Sequence, residues 1–306
     1  MTQALHIPAG WGKTGFIVAI PARNEAARLP AALSALAEET PGLDVIVIAN
    51  NCTDATATIA RQVGGPSVAV LETGCLNGGV GEARRIGMHA ALDAAPGAEI
   101  LATTDADCVV KSGWSRVVRQ ALKTADVVCG RVVPDPEEFA LLPAVVRRHG
   151  QLEDEVSALQ AELDGLRSPG LHDPLPRHGQ TPGASLAFRK ETYLHAGGFE
   201  AIPCHEDRRI VELIEATGGR VARPWSLAVT ASCRLEGRAP GGMADTISAR
   251  MADPDCLNRE IAQLHRKAKH LRNAIAACRS PSLASKVSHR RIEHDHRRKW
   301  GELDAS

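Results

Sequence analysis

Four apolar runs, each closed by a polar or glycine-rich turn, restrict this chain to few architectures. Phe16–Ile20, Asp44–Ala49, Val68–Leu71 and Ile100–Thr104 are β-rich and lack the alternation of a half-exposed strand. A strand that is apolar throughout is covered on both faces, as in a parallel sheet between helices. The intervening segments have helical character: Glu25 to Glu38 with Leu29, Leu33 and Leu36 at helical spacing, the alanine-rich Ala55–Gln62, and Gly81–Ala94. Strand and helix alternating in this way predict an α/β domain with a mainly parallel central sheet. In such sheets ligands bind beyond the carboxyl ends of the strands. The conspicuous polar residues fall there: Arg23-Asn24-Glu25, Asn50, and Asp105 with Asp107. Together they describe one continuous cleft.

The character changes after Val127–Val133. Leu141–Leu166 is a long helical stretch rich in Glu and Leu, more suited to packing or dimerisation than to an acceptor site. Arg167–Pro182, rich in Pro, Gly and His, reads as a mobile loop, with a lid over bound ligand and an ordinary connection both open. Regular structure resumes at Ala184–Phe188, continues through helix Arg208–Ala216 and reaches a last strand near Leu227–Thr230. The expected division is a catalytic domain over 1–236 (donor half 14–133, acceptor half 134–236) and a helical, basic extension over 237–306. In that extension Ile261, Leu264, Ala268, Leu271 and Ile275 form a stripe interleaved with Arg266, Lys267, Lys269 and Arg272. Packing on the domain or on a twin subunit is favoured over lying on an anionic membrane, because the stripe is short. A homodimer is therefore left open. His289 to Lys299 reads as a solvated basic end.

Composition removes some classes of partner. Lys+Arg and Asp+Glu both number 36, so the basic surplus that nucleic-acid phosphates demand is missing. Aromatics are 3%, with Tyr193 the single tyrosine, so platforms for stacking bases are scarce. The eight cysteines stand singly without a CxxC pair, which argues against a structural zinc site and for a reducing compartment. No secretory signal and no apolar run of membrane-spanning length is present, so the expected location is cytoplasmic, peripheral to the inner face of a membrane at most.

Asp105-Ala106-Asp107 is the strongest local signal. Two carboxylates one residue apart on a tight turn offer hard oxygen ligands to Mg²⁺ or Mn²⁺. An ion held there keeps positions for phosphate oxygens and offsets charge on a departing diphosphate.

In their order along the chain, IPARNEAARLPAALSAL, VIVIANNCTDAT, NGGVGEARRIG, TTDADC and GASLAFRKETYLHAGGF followed by HED resemble family 2 glycosyltransferases of the GT-A fold. The resemblance spans roughly Phe16 to Val229. It implies a nucleotide-sugar-binding domain, with Pro21, Ala22, Arg23 and Glu25, then Asn50, around the nucleoside. Gly79, Gly81 and Arg84 would lie beside the diphosphate. Asp105 and Asp107 resemble the metal-binding DxD, and Glu206-Asp207 the pair whose Asp is the catalytic base. Donor diphosphate, Mn²⁺ or Mg²⁺, and a hydroxyl acceptor, small or lipid-linked, follow from the resemblance, as does inversion. Asn50 departs from the Asp of many relatives and leaves the base open, since Asn offers a donor as well as an acceptor. No QxxRW segment of the processive synthases occurs, which points to single transfers. His205, Arg234 and Arg238 are further candidate contacts to acceptor or phosphate.

Gly12-Lys13-Thr14 is not a P-loop, because the position five before Gly12 is Ile7 and no strand precedes it. Gly79-Val80-Gly81 lacks the third dinucleotide-binding glycine, with Arg84 in its place. The competing functions are a sugar nucleotidyltransferase, which would need a Gly-rich basic loop where PARNE stands, and a non-catalytic nucleotide-sugar-binding scaffold, which would have no use for Asp207.

Overall fold

The computed structural model describes residues 4–237 and 241–280. Eleven strands and ten α-helices are present among them. The strands are β1 (Ala4–His6), β2 (Phe16–Ala22), β3 (Asp44–Asn50), β4 (Val68–Thr73), β5 (Ile100–Thr103), β6 (Cys108–Val110), β7 (Val127–Cys129), β8 (Arg131–Pro134), β9 (Leu186–Arg189), β10 (Val221–Ala222) and β11 (Ala228–Ala231). The helices are α1 (Leu29–Ala37), α2 (Thr56–Gly64), α3 (Gly79–Ala94), α4 (Trp114–Ala121), α5 (Pro136–Leu141), α6 (Ala144–Arg167), α7 (Lys190–His195), α8 (Glu206–Ala216), α9 (Met243–Ala252) and α10 (Pro254–Arg279).

The main sheet has the order β1-β4-β3-β2-β5-β9-β7-β10. Its centre, β4-β3-β2-β5, is parallel, as the uninterrupted apolar runs predict. Alternate residues of those runs feed two cores. Phe16, Val18, Ile20, Val45 and Val47 join Leu33 and Trp114 on one face, while Ile17, Ala19, Ile46 and Ile48 join Met88, Phe188 and Phe199 on the other. Strands β1 and β9 run antiparallel to their neighbours. Strand β1 is exposed and three residues long, too short for a periodicity to register in the sequence.

Val127–Val133 is two strands in two sheets. The chain leaves the main sheet at Gly130 and enters a three-stranded sheet, β6-β11-β8. A Cβ at Gly130 would lie 2.1 Å from Ser185 Oγ, so the crossing point has no room for a side chain.

Beyond Arg167, the last residue of α6, the segment to Pro182 carries no helix or strand, yet it is anchored along much of its length. Asp173 is buried and accepts from Arg223 N (2.7 Å) and Arg177 Nη1 (3.2 Å), and Arg177 Nε donates to Ala161 O (2.9 Å). His178 donates from Nε2 to Cys129 O (3.1 Å) and accepts at Nδ1 from Gln180 N (3.1 Å). Only the neutral Nε2–H tautomer satisfies both bonds. Burial, the largest influence, holds the imidazole pKa down at about 3. These bonds make the segment a fitted connection rather than a free lid.

The long helices α6 and α10 lie side by side. Leu152, Val156, Leu159, Leu163 and Leu166 on α6 repeat every three and four residues, as do Leu257, Ile261, Leu264, Ala268, Leu271, Ile275 and Cys278 on α10. Arg148 meets His265, Glu155 meets Arg272, and Glu162 meets Arg279, each pair one heptad beyond the last. The advance in the same direction on both helices defines a parallel pair with coiled-coil spacing. The apolar stripe of the basic helix is thus buried by packing on the domain. Among the described residues, no helix is long and apolar enough to cross a membrane. Pro281 and the basic cluster His289 to Lys299 lie outside the described residues.

Candidate active site

Parallel pairing of β4, β3, β2 and β5 brings their carboxyl ends to one side, where the turns are stitched together. Asn24 Oδ1 accepts from Thr53 N (2.8 Å), Thr56 Oγ1 accepts from Glu25 N (2.8 Å), and Asp54 Oδ2 accepts from Ala26 N (3.1 Å). Asn24 and Asn51 take positive φ of 54° and 51°, a backbone shape that Asn tolerates better than most residues. Arg23 is exposed, Pro21 half-buried and Ala22 buried, while Asn50 is half-buried and accepts from Thr73 Oγ1 at 3.4 Å. These residues lie together at the carboxyl ends of β2 and β3.

Asp105 and Asp107 sit on the turn between β5 and β6. Their carboxylate oxygens and Cys108 Sγ lie within 4.8 Å of one another. Cys108 is 2% exposed, and burial raises its thiol pKa well above the ordinary value, so it stays a protonated thiol. That leaves the oxygens of the two aspartates as candidate ligands, hard donors of the kind that suit Mg²⁺ or Mn²⁺. Asp107 has its carboxyl pKa raised to about 6, first by burial and then by Asp105, with Arg234 opposing.

Arg84 lies beneath this turn. It is 4% exposed, and all three side-chain nitrogens are engaged: Nε donates to Thr103 Oγ1 (3.1 Å), Nη2 to Asp105 Oδ1 (2.5 Å) and Nη1 to Glu206 Oε1. A Cβ on Gly183 would come within 2.6 Å of its guanidinium, so Gly183 closes over it. Gly183 N in turn donates to Asp207 Oδ2 at 2.6 Å. Asp105 and Asp207 are thus held by one arginine–glycine node. Glu206, 1% exposed, faces inward to Arg84, whereas Asp207 is half-buried in the first turn of α8, where the helix dipole favours a carboxylate. Arg84, expected beside a diphosphate, and Glu206, expected beside the base, face each other as a buried ion pair.

The glycines of Gly78-Gly79-Val80-Gly81 have a packing reason. A Cβ at Gly78 would lie 2.6 Å from Ala201 O, at Gly79 2.9 Å from Pro203 Cα, and at Gly81 2.3 Å from Glu200 O. Gly81 N also donates to Ile202 O (3.1 Å). They let α3 meet the backbone that leads into Glu206 and Asp207. Gly12-Lys13-Thr14 is likewise structural, since Gly12 N and Thr14 N donate to buried Asp44 at 2.9 and 2.8 Å.

Strand β11 completes the site. It pairs antiparallel with β6, Ala231 opposite Cys108, so the residues after it arrive beside the Asp105–Asp107 turn. Arg234 donates from Nη1 and Nη2 to both oxygens of Glu25 (2.8 and 2.6 Å), and Nη2 stands 3.0 Å from Asp107 Oδ2. Glu25, expected at the nucleoside, is 5% exposed and is a buried ion-pair partner of Arg234. Glu138 fixes the approach, accepting from Ser232 Oγ and Cys233 N at 2.7 Å each and pairing with Arg28 at 2.7 Å. Glu138 carried no sequence signal, because its partners lie far away along the chain. His205 is exposed with φ 67° just before α8, and Arg238 lies outside the described residues.

A mostly parallel sheet with a paired-carboxylate turn at its strand ends, and a second small sheet beside that turn, is a GT-A-like α/β architecture. Residues 17–162 match the model for glycosyl transferase family 2. No curated protein sequence matches the chain. Among solved structures, S. aureus TarS 1-349 in complex with UDP-GlcNAc superposes with a TM-score of 0.53 at 14% identity, covering 86% of this chain and 71% of that one. Another S. aureus TarS structure gives 0.50 at 16% identity, covering 78% of this chain and 43% of that one. The mannosyltransferase PcManGT from Pyrobaculum calidifontis, in complex with GDP-Man and Mn²⁺, gives 0.49 at 19% identity over 90% and 79%.

Proposed function

We propose that this protein is a divalent-metal-dependent, inverting glycosyltransferase that moves single sugars from a nucleoside-diphosphate donor to an acceptor hydroxyl. The observation that carries the reading is the shared anchoring of Asp105 and Asp207 through Arg84 and Gly183. It pairs a metal-ligating carboxylate with a carboxylate suited to proton abstraction across one cleft. Asp105 and Asp107 hold Mn²⁺ or Mg²⁺, which when bound offsets the charge of the departing diphosphate. Asp207 takes the acceptor proton as the hydroxyl attacks C1. Glu206 and Arg84 are positioning residues that fix the first turn of α8 against the Asp105 turn. The strand-end rim of Arg23, Asn24 and Asn50 faces the nucleoside. The shared fold with a protein crystallised with UDP-GlcNAc supports a nucleotide-sugar donor.

Residues 14–133 form the donor half and 134–236 the acceptor half, with the extension from 237 bracing α6 through α10.

Two measurements test this. Melting-temperature shifts with UDP, GDP, ADP, CMP and dTDP, each with Mn²⁺ or EDTA, should show one metal-dependent ligand, because binding to the native state raises its stability. Asp207→Asn should lower turnover by about 10²–10⁴-fold while nucleotide binding persists. Full activity in Asp207→Asn would remove the base assignment, and equal binding in EDTA would remove the metal.

A further inference from the structure

Both carboxylates of the candidate metal turn are already paired with an arginine, and the two arginines differ in freedom. Arg84 is 4% exposed, covered by Gly183 and locked between Asp105 and Glu206. Arg234 has 20% of its side chain exposed and stands on the segment leaving β11. Its fork grips both oxygens of Glu25, while Asp107 holds it by one contact at 3.0 Å. The stronger hold is therefore on the far side from the metal turn. Four carboxylates (Glu25, Asp105, Asp107 and Glu206) face two guanidinium groups, leaving two negative charges, the complement of one divalent ion.

Resting on the donor-site reading above, we propose that Arg234 is a tethered cation that occupies Asp107 until metal and donor bind, then exchanges that carboxylate for the donor diphosphate. Asp107 cannot give Oδ2 fully to a metal ion while Arg234 holds it, because cation and guanidinium compete for the same lone pairs. Release does not set the arginine adrift. The bidentate pair with Glu25 keeps the guanidinium at the cleft, and Glu138 fixes the backbone at Ser232 and Cys233. A guanidinium anchored on one edge and freed on another presents spare N–H donors to phosphate oxygens, whose geometry it matches. Glu25 is then the anchor of a diphosphate ligand and not itself a donor contact. Arg234 thus competes with the metal for Asp107 in the empty enzyme and is a phosphate ligand in the loaded one.

The exchange predicts effects of opposite sign from one substitution. Mn²⁺ binding is measured from the free-ion electron paramagnetic resonance signal, first with Mn²⁺ alone and then with inorganic pyrophosphate, which carries the diphosphate chemistry without a base. Arg234→Gln should bind Mn²⁺ alone at least threefold tighter than wild type and bind pyrophosphate with Mn²⁺ at least tenfold more weakly. Arg234→Lys should restore part of the pyrophosphate affinity. A purely structural arginine would weaken both. Should Arg234→Gln fail to fold because Glu25 is left buried and unpaired, the double variant Glu25→Gln/Arg234→Gln removes both charges and should still bind Mn²⁺ more tightly. Mn²⁺ binding that Asp107→Asn abolishes but Arg234→Gln or the double variant leaves unchanged or weaker would overturn the exchange and leave the metal site standing. No Mn²⁺ bound by wild type or any variant would overturn both.

Discussion

Gly81 shows how a single hydrogen in place of a methyl group can set the geometry of a site. In a helix, Gly→Ala ordinarily stabilises by about 1 kcal/mol. Here the added Cβ would meet two backbone carbonyls, Glu200 O at 2.3 Å and Ile202 O at 2.6 Å, neither of which can swing away. Overpacking of this kind costs about 1–3 kcal/mol and outweighs the helical gain. Gly81→Ala should therefore lower the urea midpoint and weaken catalysis, because the displaced segment leads into Glu206 and Asp207; a raised midpoint would refute the packing role. Arg84 obeys the same logic with charge. Glu206 is 1% exposed, so removing its partner strands a buried carboxylate, at a cost of about 3–5 kcal/mol. Arg84→Gln should show that loss in equilibrium unfolding, whereas a surface arginine would show almost none. The turn residues Arg23, Asn50, Asp105 and Asp107 were visible in the sequence because each follows an apolar strand. The inward roles of Glu25, Arg84 and Glu206 were not, since Arg234 and Glu25 are 209 positions apart and Arg84 and Glu206 122.

At the level of elements, the strands divide by how they are covered. The four central runs were legible because burial on both faces erases polar positions, whereas β1, β6 and β10 are two or three residues long and leave no pattern. The pairing of α6 and α10 rests on its seam rather than on its ion pairs. Leu271 is 4% exposed in that seam, and Leu271→Ala should cost about 2–5 kcal/mol. Arg279 is 63% exposed where it meets Glu162, and Arg279→Gln should move stability by less than about 1 kcal/mol. Parallel chemical denaturation of the two variants checks the ranking, and equal losses would place the pairing energy in the charges. The spacing of Ile261, Leu264, Ala268, Leu271 and Ile275 announced a buried stripe in the sequence. What it was buried against required α6 to be placed.

For the whole molecule, the anchored connection between α6 and β9 carries a pH dependence. His178 holds a folded pKa of about 3 against an ordinary value of 6.5, so the unfolded chain binds more protons between those values. Stability from this group is complete above pH 6.5 and is lost as pH falls toward 3, amounting to about 2 kcal/mol between pH 7.5 and 5. Urea midpoints of wild type and His178→Gln at those two pH values test the sign; the variant should lack this component of the acid loss, and identical slopes would contradict it. The segment around His178 read as a loop because Pro and Gly forbid periodic structure, but its fixity comes from Arg223, Cys129 and Ala161, which no local pattern reveals. Short-range periodicity and the turns that end strands fixed the parallel sheet, the end of it where the polar turns gather and the carboxylates presented there. The tertiary structure alone decided the second sheet, the fitted connection, and the chain of ion pairs from Glu206 through Arg84 to Asp105 and from Asp107 through Arg234 to Glu25. Those features depend on which distant groups share one low-dielectric space, and charge pairing there is set by distance in space rather than by spacing along the chain.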